Sequence, residues 1–352
     1  MAKMRTITVI DAHAEGESGR VVIDQHLRLK GQTMLERLIN AETQLEDLRR
    51  IVLHEPRGFP SLCAPVITPP VEPDSDFGLI VMEQGGFRPM SGSNLICAVT
   101  ALVNSELVRV TEPETTLKVD TAAGTVEVVA VVEDGVLQAV RFANVASFPV
   151  GLDVPLELPG YGTIKADIAF GGQFYVQANV DQFPFELERS AEKQILRAAS
   201  ALCAAAREQF PVEHPLFPDL NEVHLPMIYR TAQPGRSARN AVVLPNGTLK
   251  LDDPDTWTGT FDRSPCGTGT SARVACMYAR GEIGINDEFL HESMLGTYFK
   301  ARVLEEQEVG GFKGITPEIT GRGWITGINK LVVDPTDPFQ QGFTIGDIWG
   351  AD

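Results

Sequence analysis

The sequence predicts an α+β protein of two similar lobes, each a mostly antiparallel sheet wrapped round one buried helix. Three observations predict it. Short alternating strands outnumber helices, βαβ units are scarce, and two helices that are apolar nearly all round recur about half a chain apart. At 352 residues the chain exceeds what one hydrophobic core usually holds, so two domains are expected. Hydrophobic residues make up 43% and charged residues 22%, which sets aside disordered and fibrous classes.

Alternation of apolar and polar residues predicts strands over 6–10, 19–24, 50–54 and 78–82, several of them ending in Gly or Pro. Residues 116–150, with turns at Ala123-Gly124 and Asp134-Gly135, read as an antiparallel meander. Asn246-Gly247, between AVVLP and TLKLD, is the strongest hairpin signal. Helical periodicity with a charged face marks 34–48 and 191–210 as outer helices. Residues 94–108 and 270–280 are different, since neither has a polar face, and each is expected to be enclosed by sheet. Small-residue turns open both, Ser91-Gly92-Ser93 before the first and Cys266-Gly267-Thr268-Gly269 before the second. The expected division is a first lobe over 1–130 carrying Ser91, with residues from about 330 to 352 returning to it, and a second lobe over 131–329 carrying Cys266.

A net charge of -17 argues against nucleic acid and against an anionic membrane surface as partners, because both need clustered Lys and Arg. A small-molecule ligand fits better. Residues 1–13 alternate like a strand and lack the apolar run of a signal peptide, and no stretch is apolar for long enough to span a membrane, so a cytoplasmic location is expected. Five cysteines form no CxxC pair, and an odd number suits free thiols in a reducing compartment. Cys97, Cys203 and Cys276 fall in apolar helices and read as core, while Cys63 lies in a Pro-rich loop.

The chemistry concentrates at the two turns. The first backbone N–H groups of a helix have no internal partner, and with the helix dipole they form a site for an anion such as a carboxylate. Gly267 and Gly269 are expected to let that ligand approach the main chain. A thiol at the mouth of such a turn is expected to have its pKa lowered, which makes Cys266 a candidate base. Ser91 occupies the matching place in the other lobe, so one carboxylate held by the first-turn groups Gly92, Ser93, Gly267 and Thr268 would leave Ser91 and Cys266 to serve its α-carbon. Asp262, four residues before Cys266, is the nearest carboxylate able to meet a ligand amine. His13 and Glu15 lack the further ligands of a metal site. Residues 267–272 spell the GxGxxA dinucleotide fingerprint, but no buried strand precedes them. An Arg-loop phosphatase is excluded because Arg273 stands one residue too far from Cys266.

Six segments carry a family likeness: DAHAEGESGRVV (11–22), HEPRG (54–58), RPMSGSN (88–94), GGQFYV (171–176), DRSPCGTGTSA (262–272) and ITPEITGRGWITG (315–327). With them the chain resembles, almost end to end, the proline racemase superfamily of proline racemases, 4-hydroxyproline 2-epimerases and 3-hydroxyproline dehydratases. The resemblance implies a two-lobed diaminopimelate-epimerase-like fold, no cofactor, no metal and a homodimer. It also implies that Cys266 is an acid/base residue, that Gly267 and Thr268 bind the substrate carboxylate, and that Asp262 binds the ring nitrogen. His224, in EVHLPMIY, stands about where some members carry a substrate-contacting histidine.

One departure matters. Racemases and epimerases of this family usually read Cys-Gly-His at the first turn, whereas this chain reads Ser91-Gly92-Ser93. A serine hydroxyl is a far poorer base than a thiol unless a neighbour activates it. The serine/cysteine pair is most similar to that of trans-3-hydroxy-L-proline dehydratases, a hydro-lyase activity yielding Δ1-pyrroline-2-carboxylate. The alternatives are 4-hydroxyproline 2-epimerisation or proline racemisation with Ser91 as a true second base, and a non-catalytic amino-acid-binding protein.

Overall fold

The structure, a computed structural model, describes residues 4–349 apart from 24–26, 236 and 347; the expected strand end at Asp24 therefore lies outside the described residues. Two compact units share the chain, Met1–Phe142 with Thr320–Trp349, and Ala143–Ile319. Boundaries at 130/131 and 329/330 would cut two strands in mid-ladder, and the division falls instead at the ends of strands.

In the first unit β1 (Arg5–Ala14) and β2 (Glu17–Val22) form a hairpin through Glu15 and Gly16, both at positive φ. There follow α1 (Met34–Gln44), α2 (Glu46–Leu53), β3 (Ala64–Thr68), β4 (Phe77–Glu83), β5 (Gly86–Arg88) and α3 (Gly92–Asn104). The meander β6 (Glu114–Thr121), β7 (Gly124–Glu133) and β8 (Val136–Ala143) is antiparallel throughout.

The second unit holds β9 (Phe148–Leu158), β10 (Gly162–Phe170), β11 (Phe174–Asn179), α4 (Glu192–Gln209), β12 (Val223–Arg230) and β13 (Ala238–Pro245). It continues with β14 (Gly259–Phe261), α5 (Gly267–Ala279), β15 (Glu288–Glu292), β16 (Tyr298–Val309) and β17 (Phe312–Gly321). The chain then returns to the first unit as β18 (Gly323–Val333), antiparallel to β1 from Arg5↔Val333 to Ala14↔Gly323.

Helix α3 is buried from Gly92 to Leu102, and its Leu95, Ile96, Val99 and Leu102 each contribute about 1.5–3 kcal/mol of burial. It sits directly on strand backbone. A Cβ on Gly19 of β2 would lie 2.9 Å from the Cys97 sulfur, and one on Gly323 of β18 would lie 2.3 Å from Thr100 Oγ1. Helix α5 repeats the device in the second unit, where a Cβ on Gly171 would lie 2.2 Å from the Thr268 carbonyl oxygen and 2.6 Å from the Ala272 nitrogen. In both units the chain that encloses the helix, strands β2 and β18 in the first and the turn between β10 and β11 in the second, therefore needs glycine where the helix touches it. Helix α4 is amphipathic only in its first half; every residue from Ala198 to Ala206 is buried, so the outer helix expected there is enclosed over its second half.

Three expectations are corrected. Residues 50–53 belong to α2 and His54 is its C-cap, because the run Arg-Ile-Val-Leu presents Ile51 and Val52 to the core beside Val66 and Ile80; a short apolar run does not by itself separate helix from strand. The expected helix over 34–48 breaks at Leu45, whose ψ of 4° leaves the helical region. Asn246-Gly247 does not close a hairpin onto TLKLD. β13 pairs instead with β14, Pro245 facing Gly259, because the intervening chain folds over to bury Leu249 and Trp257, and the indole N–H of Trp257 donates to the Lys250 carbonyl at 2.8 Å. Among the described residues no helix is long and apolar enough to cross a membrane.

Candidate active site

The loop between β14 and α5 is built around Asp262. Its Oδ1 accepts from the Ser264 N–H and from the Ser264 hydroxyl, both at 2.8 Å, and the same hydroxyl oxygen accepts from the Cys266 N–H at 3.1 Å. Asn240 Nδ2, on β13, donates to the Pro265 carbonyl at 2.8 Å, and the Thr270 hydroxyl donates to it at 3.0 Å. Cys266, the N-cap of α5, is thereby held at φ 61°, ψ 105°, a left-handed conformation that a residue with a Cβ adopts only when its surroundings impose it. The strain sits on the one residue of the loop with reactive chemistry.

The Cys266 sulfur is buried at 5% exposure and has two hydroxyl neighbours: Tyr175 of β11 at 3.3 Å and Thr268 at 3.9 Å. The two hydroxyls are themselves 2.6 Å apart. Gly269 makes room for this group, since a Cβ there would lie 3.1 Å from the sulfur, 3.1 Å from Tyr175 Cε1 and 2.8 Å from Met227 Cε. The expectation that Gly269 opens space for a ligand is thus corrected; protein atoms fill that space. The expected low thiol pKa is corrected too. Burial pushes the Cys266 thiol well up, and the neighbouring Asp262 carboxylate adds to the effect; the Tyr175 hydroxyl and the Gly269 N–H pull the other way without overcoming it.

Of the other expected residues in this unit, Gly267 and Thr268 form the first turn of α5, both buried, and the Ser271 hydroxyl donates to the Gly267 carbonyl at 2.9 Å. Deeper in the helix, Thr270 meets the buried His291 at 2.9 Å, and burial lowers the pKa of that imidazole to about 3, so it stays neutral. Asn144 Nδ2 ties Gly171 and Ser271 together at 2.9 Å each. His224 is half-buried on β12, next to the rung on which Tyr175 pairs with Leu225.

In the first unit, Ser91 caps α3 with extended backbone and makes no side-chain capping bond. Its hydroxyl oxygen accepts from Asn94 Nδ2 at 2.9 Å, while the Asn94 Oδ1, also buried, finds no donor among the described residues. Gly92 and Ser93 follow as buried first-turn residues. His13 and Glu15 serve the hairpin: Gly16 N–H donates to His13 Nδ1 at 3.2 Å, and Glu15 accepts from the Arg322 N–H at 3.0 Å. Among the described residues no three His, Cys, Asp or Glu side chains gather as a metal site.

Sequence reasoning missed Tyr175, Ser264 and Asn94. All three lie inside the conspicuous motifs, and Tyr175 is the one hydroxyl in the otherwise apolar start of FYVQAN. That signal was present, but a buried tyrosine hydroxyl always needs a partner, and the strand alone does not name it.

The family model described as proline racemase matches residues 9–344. The chain is 37% identical over 345 residues to the 4-hydroxyproline 2-epimerase of Streptosporangium roseum, a match covering 98% of this chain and 100% of that protein. It is 36% identical over 342 residues to the proline racemase of Clostridioides difficile, with 97% and 98% covered. Among solved structures, a hydroxyproline epimerase from Agrobacterium vitis with bound trans-4-hydroxy-L-proline superposes at a TM-score of 0.88 with 33% identity, covering 99% of this chain and 98% of that one. The α+β, diaminopimelate-epimerase-like fold class expected from the sequence holds. With the family model spanning nearly the whole chain and relatives well above 30% identity over their full lengths, this chain belongs to the proline racemase family of enzymes.

Proposed function

We propose that this protein moves the α-proton of a proline-type cyclic amino acid without a cofactor, with the Cys266 sulfur as acid/base group. The observation that carries the reading is the sulfur itself, set at the strained cap of a buried helix beside a carboxylate, two hydroxyls and the first-turn N–H groups. Those N–H groups, at Gly267 and Thr268, suit the substrate carboxylate, which takes up charge as C2 is deprotonated. Asp262 suits the ring ammonium. Before the ligand arrives, Asp262 and burial keep the sulfur protonated. A cation docked on Asp262 offsets the carboxylate's share of that influence, which lowers the cost of the thiolate where there is an α-proton to remove.

The named relatives support one outcome, return of a proton to the other face of C2, which is epimerisation of 4-hydroxyproline or racemisation of proline with Ser91 as the second acid/base group. A specific observation favours a second outcome, dehydration of trans-3-hydroxy-L-proline to Δ1-pyrroline-2-carboxylate. Ser91 accepts a hydrogen bond from the Asn94 amide, and an oxygen that accepts an N–H is a better proton donor than base. In that substrate the α-hydrogen and the 3-hydroxyl share a ring face, so the Cys266 thiol that has taken the α-proton can pass it to the departing hydroxyl, which leaves as water, and no second base is needed.

Stereoisomers of proline, 3-hydroxyproline and 4-hydroxyproline incubated in deuterated water and followed by NMR test the reading. Epimerisation places deuterium at C2 of recovered amino acid, and dehydration gives the cyclic imine. Thermal stabilisation by these ligands with neither product would mark a binding protein and contradict the proposal.

A further inference from the structure

We propose that Tyr175 is a positioning residue for the acid/base thiol, reversing its hydroxyl between Thr268 and the Cys266 sulfur as the proton leaves and returns. The inference rests on the reading of Cys266 as the acid/base group and assigns the residue that makes its two protonation states interchangeable. Tyr175 is fully buried, and its hydroxyl lies 3.3 Å from the sulfur and 2.6 Å from Thr268 Oγ1. Thr268 alone would satisfy a buried phenol. The sulfur is therefore a second partner, and a phenol has a single proton to give.

That restriction defines two arrangements. With the proton on sulfur, the S–H donates to the Asp262 carboxylate and the Tyr175 O–H donates to Thr268. With the sulfur ionised, the Tyr175 O–H donates to the thiolate and the Thr268 O–H donates to the Tyr175 oxygen. No heavy atom moves and no bond to carbon is involved; two hydroxyls rotate. The thiolate gains a charge-assisted hydrogen bond exactly when it needs one, and the neutral thiol loses none.

The tyrosine suits this task because it does not ionise in competition. Burial and the adjacent sulfur hold its own pKa well above the usual phenol range, so it remains a donor. Its place is fixed from three sides. β11 pairs Tyr175 with Ala169 and with Leu225, and Gly269 offers no Cβ to displace its ring. Other groups facing the sulfur are Asp262, which disfavours the thiolate, and the Gly269 N–H, which favours it. Of the two hydroxyls at the sulfur, Tyr175 at 3.3 Å is nearer than Thr268 at 3.9 Å and is the donor placed to follow the proton.

The test is Tyr175→Phe, which keeps the ring and removes the hydroxyl. Alkylation of Cys266 by iodoacetamide, located by peptide mass analysis, is measured against pH together with kcat/KM for the amino acid the wild type turns over. The apparent thiol pKa is expected to rise by about one to two units, and kcat/KM to fall about tenfold or more near neutral pH and recover on the alkaline side. Thr268→Val, which removes the hydroxyl that supports Tyr175 in the ionised arrangement, is expected to move the alkylation profile the same way by less, and carries the test should Tyr175→Phe fail to fold. Alkylation profiles that superimpose on the wild type overturn the proposal, whether turnover is unchanged or uniformly reduced at every pH. A Cys266→Ala protein that turns over substrate at the wild-type rate instead overturns the reading beneath it.

Discussion

Asp262→Asn should make the Cys266 thiol more reactive while making the enzyme worse. The carboxylate is in hydrogen-bonding contact with the sulfur and raises its pKa, second only to burial. Two unit charges about 4 Å apart at an effective dielectric constant of about 20 repel by roughly 4 kcal/mol, or about three pH units as an upper bound. Allowing for relaxation, we expect the substitution to lower the apparent thiol pKa by about one to two units. Asparagine keeps the shape of the loop, because its Oδ1 can still accept from the Ser264 N–H and hydroxyl that Asp262 Oδ1 now engages. The assay is iodoacetamide alkylation of ligand-free protein against pH, with Cys266 resolved from the other four buried cysteines by peptide mass analysis. Alkylation near neutral pH should quicken about tenfold or more, while KM rises because the ring ammonium has lost its counter-charge. Alkylation that is unchanged or slower would refute the reasoning, since it would mean that Asp262 does not govern the proton on sulfur.

Ser91→Cys should raise C2 deuterium exchange on both enantiomers of proline by about tenfold or more, because a thiol is a far better base than a hydroxyl, and NMR in deuterated water reads the change. Gly171→Ala forces a methyl group onto the backbone of α5, so we expect about 3 kcal/mol or more of destabilisation in urea titration and loss of turnover. Asp120, buried, accepts from the N–H groups of Val71 and Glu72 at 2.8 Å, from Thr125 at 3.0 Å and from Ser75, and these bonds hold its pKa below the usual value. Its contribution is therefore fully present above the unfolded pKa of about 4 and is lost as pH falls through the depressed folded value. Asp120→Asn should cost about 2–4 kcal/mol at neutral pH and flatten the acid limb of a stability-against-pH curve.

Much of the site was legible because its chemistry depends on short-range order. Helices without a polar face announced burial, and a cysteine before Gly-Thr-Gly announced the buried cap of such a helix. What stayed hidden depends on contacts between distant segments. Tyr175 and Cys266 are 91 residues apart, and strand alternation does not say which turn a given side chain faces. The thiol pKa went the opposite way from the sequence reading for a related reason: the helix dipole follows from local sequence, whereas burial and the approach of Asp262 follow from folding the loop. Gly269 looked like room for a ligand and is room for the sulfur and the phenol. The same limit explains the fold-level corrections, since Asn246-Gly247 has turn chemistry whichever partner the next segment finds, and burial of Trp257 and Leu249 chose a different one.

The most direct test of the central claim is deuterium incorporation at C2 by Cys266→Ala, measured on the isomer the wild type processes and under the same conditions. If sulfur carries the α-proton, exchange should fall by about 10²–10⁴-fold with the protein still folded and still stabilised by the amino acid. Exchange at the wild-type rate would contradict the account.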